Sequence, residues 1–304
     1  MAPDSFAPIA LFVYNRPWHT RQTVEALKKN ELAAESDLFI FSDGPKNAAS
    51  EGQVKAVRDY LRTIDGFRAI HISERNENCG LAKSIIGGVS EVISRFGKII
   101  VMEDDLVSSK YFLKFMNEAL NFYENEENVA SISGYMYPLE ERLPASFFLR
   151  GAECWGWSTW RRGWNVFEAD GKKLIQEIHR RKLKKIFDVN GAYGYTKMLQ
   201  DQIAGKNDSW AVRWHASVFL KDMLTLYPGA SLILNIGFDG SGTHCGRING
   251  PSQIQISEKS PRMKQIPVTE NKEIFITLEK FLKRKKGSLP KRLKNRIVRI
   301  FKTR

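Results

Sequence analysis

Apolar residues in the first third of the chain gather into short runs separated by segments of helical spacing. The runs are rich in β-branched and aromatic residues and cover 9–14, 38–41, 68–72 and 98–102. Residues 20–29, 53–62 and 81–95 lie between them and carry their apolar side chains about one helical turn apart. Strands alternating with helices at this interval predict βαβ units and a parallel sheet, an α/β fold. A helix is expected to follow, capped by Ser108 or Ser109 and running to about Tyr123, and 129–133 reads as a further strand. The pattern then changes. Six of the seven tryptophans fall within 155–214, a region that reads as mostly helical. Another strand is expected at 232–236, followed by a glycine-rich loop over 237–244. No internal repeat is present. We expect one large domain over residues 1–250, divided near 135, then a connecting segment over 251–279 and a basic tail over 280–304.

Open parallel sheets bind ligands beyond the carboxyl ends of their strands, so the residues just after each run matter most. The fourth run leads directly into Glu103, Asp104 and Asp105. Three adjoining carboxylates repel one another unless a cation neutralises them. Oxygen ligands suit Mg²⁺ or Mn²⁺, which keep positions open for phosphate oxygens. The competing reading is a solvated acidic turn before a helix, favoured there by the helix dipole.

The other stations are more ambiguous one by one. Asp43 stands in an Asp-Gly-Pro sequence, which is ordinary turn chemistry or a carboxylate placed for a base or ribose. Asn15 and Arg16 precede Pro17, a favoured first helical residue, and Arg16 can equally donate to a phosphate. Gly80 and Lys83 open the third helix, where an anion is favoured. The Lys83-Ser84 pair lacks the glycine spacing of a P-loop. Trp160 and Trp164, read as one helical turn apart, are assigned to the core, whereas Trp155 and Trp157 flank Gly156 and are candidates to line a sugar pocket. Asp208 is either a helix N-cap or a general base. His244 ends the glycine-rich loop and is a candidate metal ligand.

Taken together, these stations resemble a known family. Val13-Tyr14-Asn15-Arg16-Pro17, Phe41-Ser42-Asp43-Gly44, Asn78-Cys79-Gly80-Leu81-Ala82, Val101-Met102-Glu103-Asp104-Asp105-Leu106 and Ser133-Gly134-Tyr135 are similar to bacterial GT-A glycosyltransferases. The similarity is greatest to the branch related to N-acetylglucosaminyltransferase I. It continues through Cys154-Trp155-Gly156-Trp157-Ser158-Thr159-Trp160, Asp208-Ser209-Trp210, Asn235-Ile236-Gly237-Phe238 and Gly242-Thr243-His244, in the same order. The resemblance implies a GT-A, Rossmann-like sheet flanked by helices. It makes residues 1–135 the nucleotide-sugar half and 136–250 the acceptor half. It further implies that Glu103-Asp104-Asp105 is a DXD-like element, with Asp105 the direct metal ligand and Glu103 and Asp104 near the ribose or just behind the metal's own ligands. Asn15, Arg16 and Asp43 would hold the nucleotide, Asp208 would act as base in an inverting displacement, and His244 would join the metal. The cofactor would be Mn²⁺ or Mg²⁺. A UDP-sugar is the favoured donor, with a glycan or lipid-linked glycan hydroxyl as acceptor, in bacterial surface polysaccharide or lipopolysaccharide synthesis.

Composition and charge refine the picture. Of 304 residues, 42% are hydrophobic and 27% charged, as in ordinary globular proteins. The net charge of +13 suggests nucleic acid at first sight. Twelve of the positive charges, however, fall within residues 280–304 with no acid among them, leaving the rest of the chain at +1. No nucleic-acid partner is therefore expected. Residues 291–302 place Leu293, Ile297, Ile300 and Phe301 on one helical face amid basic residues, which suits an anionic membrane surface. Three scattered cysteines fit a reducing compartment, and the first residues lack the pattern of a secretory signal. The expected location is the cytoplasm, peripheral on the inner face of the membrane. Rival readings are a sugar nucleotidyltransferase, which also uses strand-end carboxylates, and a non-enzymatic basic nucleic-acid-binding protein.

Overall fold

A computed structural model of the chain describes residues 6–240, 255–261 and 263–287. Its first part alternates as β1 (Ile9–Val13), α1 (Pro17–Lys28), β2 (Asp37–Ser42), α2 (Ala48–Leu61), β3 (Ala69–Glu74), α3 (Leu81–Phe96) and β4 (Lys98–Glu103). Next come β5 (Leu106–Ser108), α4 (Phe112–Phe122) and β6 (Val129–Ser133). The second part contains β7 (Ser146–Arg150), β8 (Trp157–Trp160), α5 (Arg161–Trp164), α6 (Gly171–Arg180), α7 (Lys184–Phe187), α8 (Tyr195–Ile203), α9 (Trp210–Leu220), β9 (Leu224–Pro228), β10 (Ile233–Asn235) and α10 (Lys272–Gly287).

Eight strands form one sheet in the order β3-β2-β1-β4-β8-β6-β9-β7. The first four are mutually parallel. β8 runs antiparallel between β4 and β6, β9 is parallel to β6, and the edge strand β7 is antiparallel to β9. The expected α/β architecture, a mostly parallel central sheet flanked by helices, is what the structure shows. Parallel strands covered on both faces read as continuous apolar runs, and all five residues of β1 are buried. On one face Ile9, Leu11 and Val13 meet Val24 and Leu27 of α1, Val57 and Leu61 of α2 and Phe115 and Met116 of α4. On the other, Ala10 and Phe12 meet Ile85, Val89 and Val92 of α3 and Trp214 and Val218 of α9.

Several expectations are corrected. Strands β7, β8 and β9 fall where no strand was expected, because each is short and buried on both faces and so lacks an alternating pattern. The tryptophans of β8 had suggested a helix. Trp160 ends that strand and Trp164 lies in α5, yet both are buried in the core as expected. Neither Ser108 nor Ser109 caps α4: Ser108 belongs to β5, and the Ser109 hydroxyl donates to the Ser257 carbonyl at 2.7 Å. The boundary set at residue 280 falls inside α10, whose Ile274, Leu278, Phe281 and Leu282 pack against Phe147, Leu149 and Tyr227. Among the described residues no helix is long and apolar enough to cross a membrane.

A second cluster joins α6, α7, α8 and α9 through Leu174, Ile178, Phe187, Leu199 and Phe219. His215 of α9 stacks on Tyr195 at 4.2 Å between ring centroids, and its Nδ1 lies 2.9 Å from the Ala152 carbonyl. Burial lowers its pKa from 6.5 to about 4. Between those values the unfolded chain binds a proton that the folded one refuses, so stability is whole above pH 6.5 and is lost as pH falls toward 4. Melting temperature should drop across that interval, by the equivalent of on the order of 1–3 kcal/mol. His215→Phe should flatten the profile. An equally steep acid limb in that variant would assign the loss to other groups.

Candidate functional site

Because β1, β2 and β4 are parallel neighbours, the residues that follow them emerge at one edge of the sheet. Arg16 at the head of α1 turns its guanidinium onto the residues after β4. Its Nη2 donates to Asp105 Oδ2 at 2.9 Å and also contacts Asp104 Oδ1. Burial alone would lower the Arg16 pKa, but Asp104 and Asp105 together raise it above its ordinary value. Burial pushes Asp104 above the usual carboxylate range against the pull of Arg16. Burial, reinforced by Asp105 and Asp104, raises Glu103 to about 8. Thr23 of α1 holds the turn from below, its hydroxyl donating to the Asp104 carbonyl at 2.8 Å.

A two-stranded antiparallel ribbon of β5 and β10 brings the loop after β10 across this turn. The Ile236 amide donates to the Asp105 carbonyl at 2.9 Å. Gly237 lies so close that a Cβ there would stand 3.0 Å from the Asp105 carboxyl carbon and 3.1 Å from Arg16 Nη1. A larger residue there would have to displace the Asp105 carboxylate and the Arg16 guanidinium. Sequence reasoning named the loop for its flexibility and missed Gly237 as a wall of the carboxylate site. His244 lies outside the described residues.

Asp104 and Asp105 thus share one guanidinium, beside Glu103, and its Nη1 is buried without a hydrogen-bond partner among the described residues. The site is short of positive charge. No three His, Cys, Asp or Glu side chains converge as a cage among the described residues. One or two carboxylates nevertheless suffice for Mg²⁺ or Mn²⁺ when phosphate oxygens and waters complete the shell. The donor chemistry fits a hard divalent ion shared with a ligand.

Asp43 is buried after β2, and its carboxylate is occupied by the protein itself. Oδ1 accepts from the Gly44 and Cys79 amides and Oδ2 from the Gly80 amide, each at 3.0 Å. It thereby fixes the loop that opens α3. Gly80 takes φ +80°, and a Cβ there would lie 3.7 Å from Asp208 Oδ2. Asp208, 51 residues after β8's first tryptophan in sequence, is therefore set beside the Asp43 station. It does not cap α9. The cap is Ser209, whose hydroxyl accepts from the Val212 amide at 3.2 Å. The Asp208 side chain is 59% exposed, with Arg213 Nη2 3.7 Å away, so its carboxylate can reach a ligand. Lys83 is exposed on the first turn of α3, and Asn15 is half-buried directly after β1.

The two tryptophans assigned to a sugar pocket part company. Trp157 is 0% exposed, its ring packed against Trp164, Trp210 and Trp214 at 5.5–5.9 Å. It offers no face to a ligand, because β8 is buried on both faces. Trp155, half-buried, stands edge-to-face with Tyr135 at 4.6 Å and Phe238 at 5.6 Å. Phe238 follows Gly237, so Trp155 borders the carboxylate turn.

No protein-family model matches the chain, and no curated protein matches it. Partial likenesses exist among solved structures. The mannosyltransferase PcManGT from Pyrobaculum calidifontis, in complex with GDP-Man and Mn²⁺, is 14% identical, with a TM-score of 0.33 over 45% of this chain and 37% of that one. S. aureus TarS is 16% identical, with a TM-score of 0.31 over 45% of this chain and 25% of its own. Its fragment 1–349 gives 14%, 0.29, 45% and 41% respectively. The chain spans well under half the length of each of these proteins.

Proposed function

We propose that the chain is a metal-dependent glycosyltransferase of the GT-A type, moving a sugar from a nucleotide-diphosphate donor to an acceptor hydroxyl. One observation carries this reading. A charge-deficient carboxylate turn sits at the ligand edge of a parallel sheet, pressed on one side by a glycine backbone and on the other by a single arginine. Asp105 would hold the divalent ion, with Glu103 and Asp104 toward the ribose. The ion, when bound, offsets charge developing on a departing diphosphate.

The remaining chemistry belongs to the chain's own groups. Arg16 is placed to donate to phosphate oxygens once it shares Asp105 with a second cation. Asp43 orients the Asn78-Cys79-Gly80 backbone against the nucleotide. Asp208, spared from capping and in reach of the same edge, takes the proton of the attacking hydroxyl, which inverts the anomeric centre in a single displacement. Asp208→Asn should lower turnover by about 10²–10⁴-fold, with nucleotide affinity nearly unchanged by calorimetry. A parallel loss of both would make Asp208 a structural residue.

A thermal-shift screen of UDP-, GDP-, CMP- and dTDP-sugars with Mn²⁺ tests the reading directly, because ligands that bind only the folded state raise its stability. A UDP-sugar is the expected hit. Stabilisation by none of them would remove the proposal, and pyrophosphate release would indicate nucleotidyl transfer instead. The acceptor we infer is a glycan or lipid-linked glycan of bacterial surface polysaccharide synthesis, met at the cytoplasmic face of the membrane. Membrane contact narrows to residues 288–304, which lie outside the described residues, since Phe281 and Leu282 are buried in the core.

A further inference from the structure

We propose that α7, with the turn before it, and the outward side of α10 form one folded face that docks on an anionic lipid bilayer. This enlarges the membrane contact placed above in residues 288–304, and no part of it rests on the donor site.

The two segments are far apart in sequence. Residues 179–185 read His-Arg-Arg-Lys-Leu-Lys-Lys, and α10 ends with Lys283, Arg284, Lys285 and Lys286 before its last glycine. The fold joins them. The Asn190 backbone amide donates to the Lys185 carbonyl at 2.8 Å, and the Asn190 side-chain amide donates to Glu279 Oε2 at 2.7 Å. Glu279 Oε1 in turn accepts from Lys283 Nζ at 2.5 Å. Val189 and Ala192, just after α7, share a buried cluster with Ile274 and Leu278 of α10. The junction is therefore packed as well as hydrogen-bonded.

Positive charge is concentrated in these elements. Residues 171–187 and 272–287 together hold thirteen Lys or Arg against three Asp or Glu. Inside the protein it is only partly neutralised. Arg180 pairs with Glu177, Arg181 with Asp222, Lys184 with Asp188 and Arg284 with Glu140. Lys182, Lys185 and Lys280 are exposed and make no ion pair among the described residues. Lys280 and Arg284 stand one helical turn apart, a spacing at which like charges repel. Anionic headgroups would relieve that repulsion.

Apolar side chains separate a bilayer from a soluble polyanion. Five large apolar residues are exposed among the described ones, and two of them belong to this face. Ile186, 46% exposed, follows Lys185 directly. Ile276, 48% exposed, shares a helix side with Lys272, Lys280 and Lys283, opposite the buried Ile274 and Leu278. A polyanion in solution would engage the lysines alone. A bilayer offers phosphates to the lysines and acyl chains to the isoleucines. The chain beyond α10 continues the pattern, with seven basic residues and no acid in 288–304. Since α10 packs on the edge strand β7, the contact would hold the sheet by that edge.

The full chain is floated with vesicles of phosphatidylcholine alone, and with vesicles of phosphatidylcholine and phosphatidylglycerol in equal parts. The parent should float with the anionic vesicles and not with the neutral ones. Lys182→Gln, Lys185→Gln and Lys280→Gln combined should lower partitioning about tenfold or more, although residues 288–304 are intact. Ile186→Ser with Ile276→Ser should lower it severalfold. All five side chains are exposed, so melting temperatures should match the parent's, as should any stabilisation by UDP or GDP with Mn²⁺. The face is overturned if the parent ignores anionic vesicles, or if the lysine variant floats as the parent does. Equal flotation of the isoleucine variant would assign the face to soluble polyanions and overturn the bilayer. If nucleotides stabilise neither parent nor variants, the donor reading fails while flotation still decides the face.

Discussion

Alanine at position 105 is expected to abolish sugar transfer, lowering product formation by at least about a hundredfold with the fold intact. Asp105 is the member of the triplet that faces both Arg16 and the Gly237 backbone, so it stands at the centre of the charge-deficient turn. Removing its carboxylate relieves crowding on Glu103 and Asp104, and stability should therefore change little. Nucleotide-dependent stabilisation by Mn²⁺ should disappear with activity. Turnover within a few-fold of the parent would remove the metal assignment at this residue.

Arg16→Ala should have the larger effect on stability. The guanidinium is the single cation in contact with Asp104 and Asp105 among the described residues, and the three side chains are 17%, 6% and 13% exposed. Breaking a buried pair by deleting one partner strands the other charge, at a cost of about 3–5 kcal/mol. For a protein of this size the melting temperature should fall by about 2–4 °C for each kcal/mol. Mn²⁺ should then restore much of the loss, because the stranded carboxylates are better served by a divalent ion when no arginine competes. The parent should respond less to Mn²⁺ without nucleotide. An unchanged melting point, with the same Mn²⁺ response in both proteins, would show that Arg16 is not the turn's countercharge.

The parallel half of the fold was legible because its apolar strands alternate with helical segments and are bounded by clear turn residues. Residues 9–13 and 98–102 could hardly be anything else, and the acidic triplet announced itself by its position after the second of these. The antiparallel insertions were not legible. Trp157-Ser158-Thr159-Trp160 spans four residues, too few to show a period, and its tryptophans echo the helical spacing downstream. The same shortness misdirected Trp157, since nothing in four residues shows that β8 is buried on both faces. Asp208 was ambiguous until Ser209 proved to be the cap.

The β5–β10 ribbon has a consequence for how this protein is made. On the ribosome, the acidic residues emerge long before the segment that finally walls them in, and nascent chains fold from the amino end at about 5–20 residues per second. For several seconds the turn must persist with Arg16 as its only countercharge among the groups described. Any shortened gene product that stops before Ile233 would retain most of the parallel strands yet carry an open, self-repelling acidic edge.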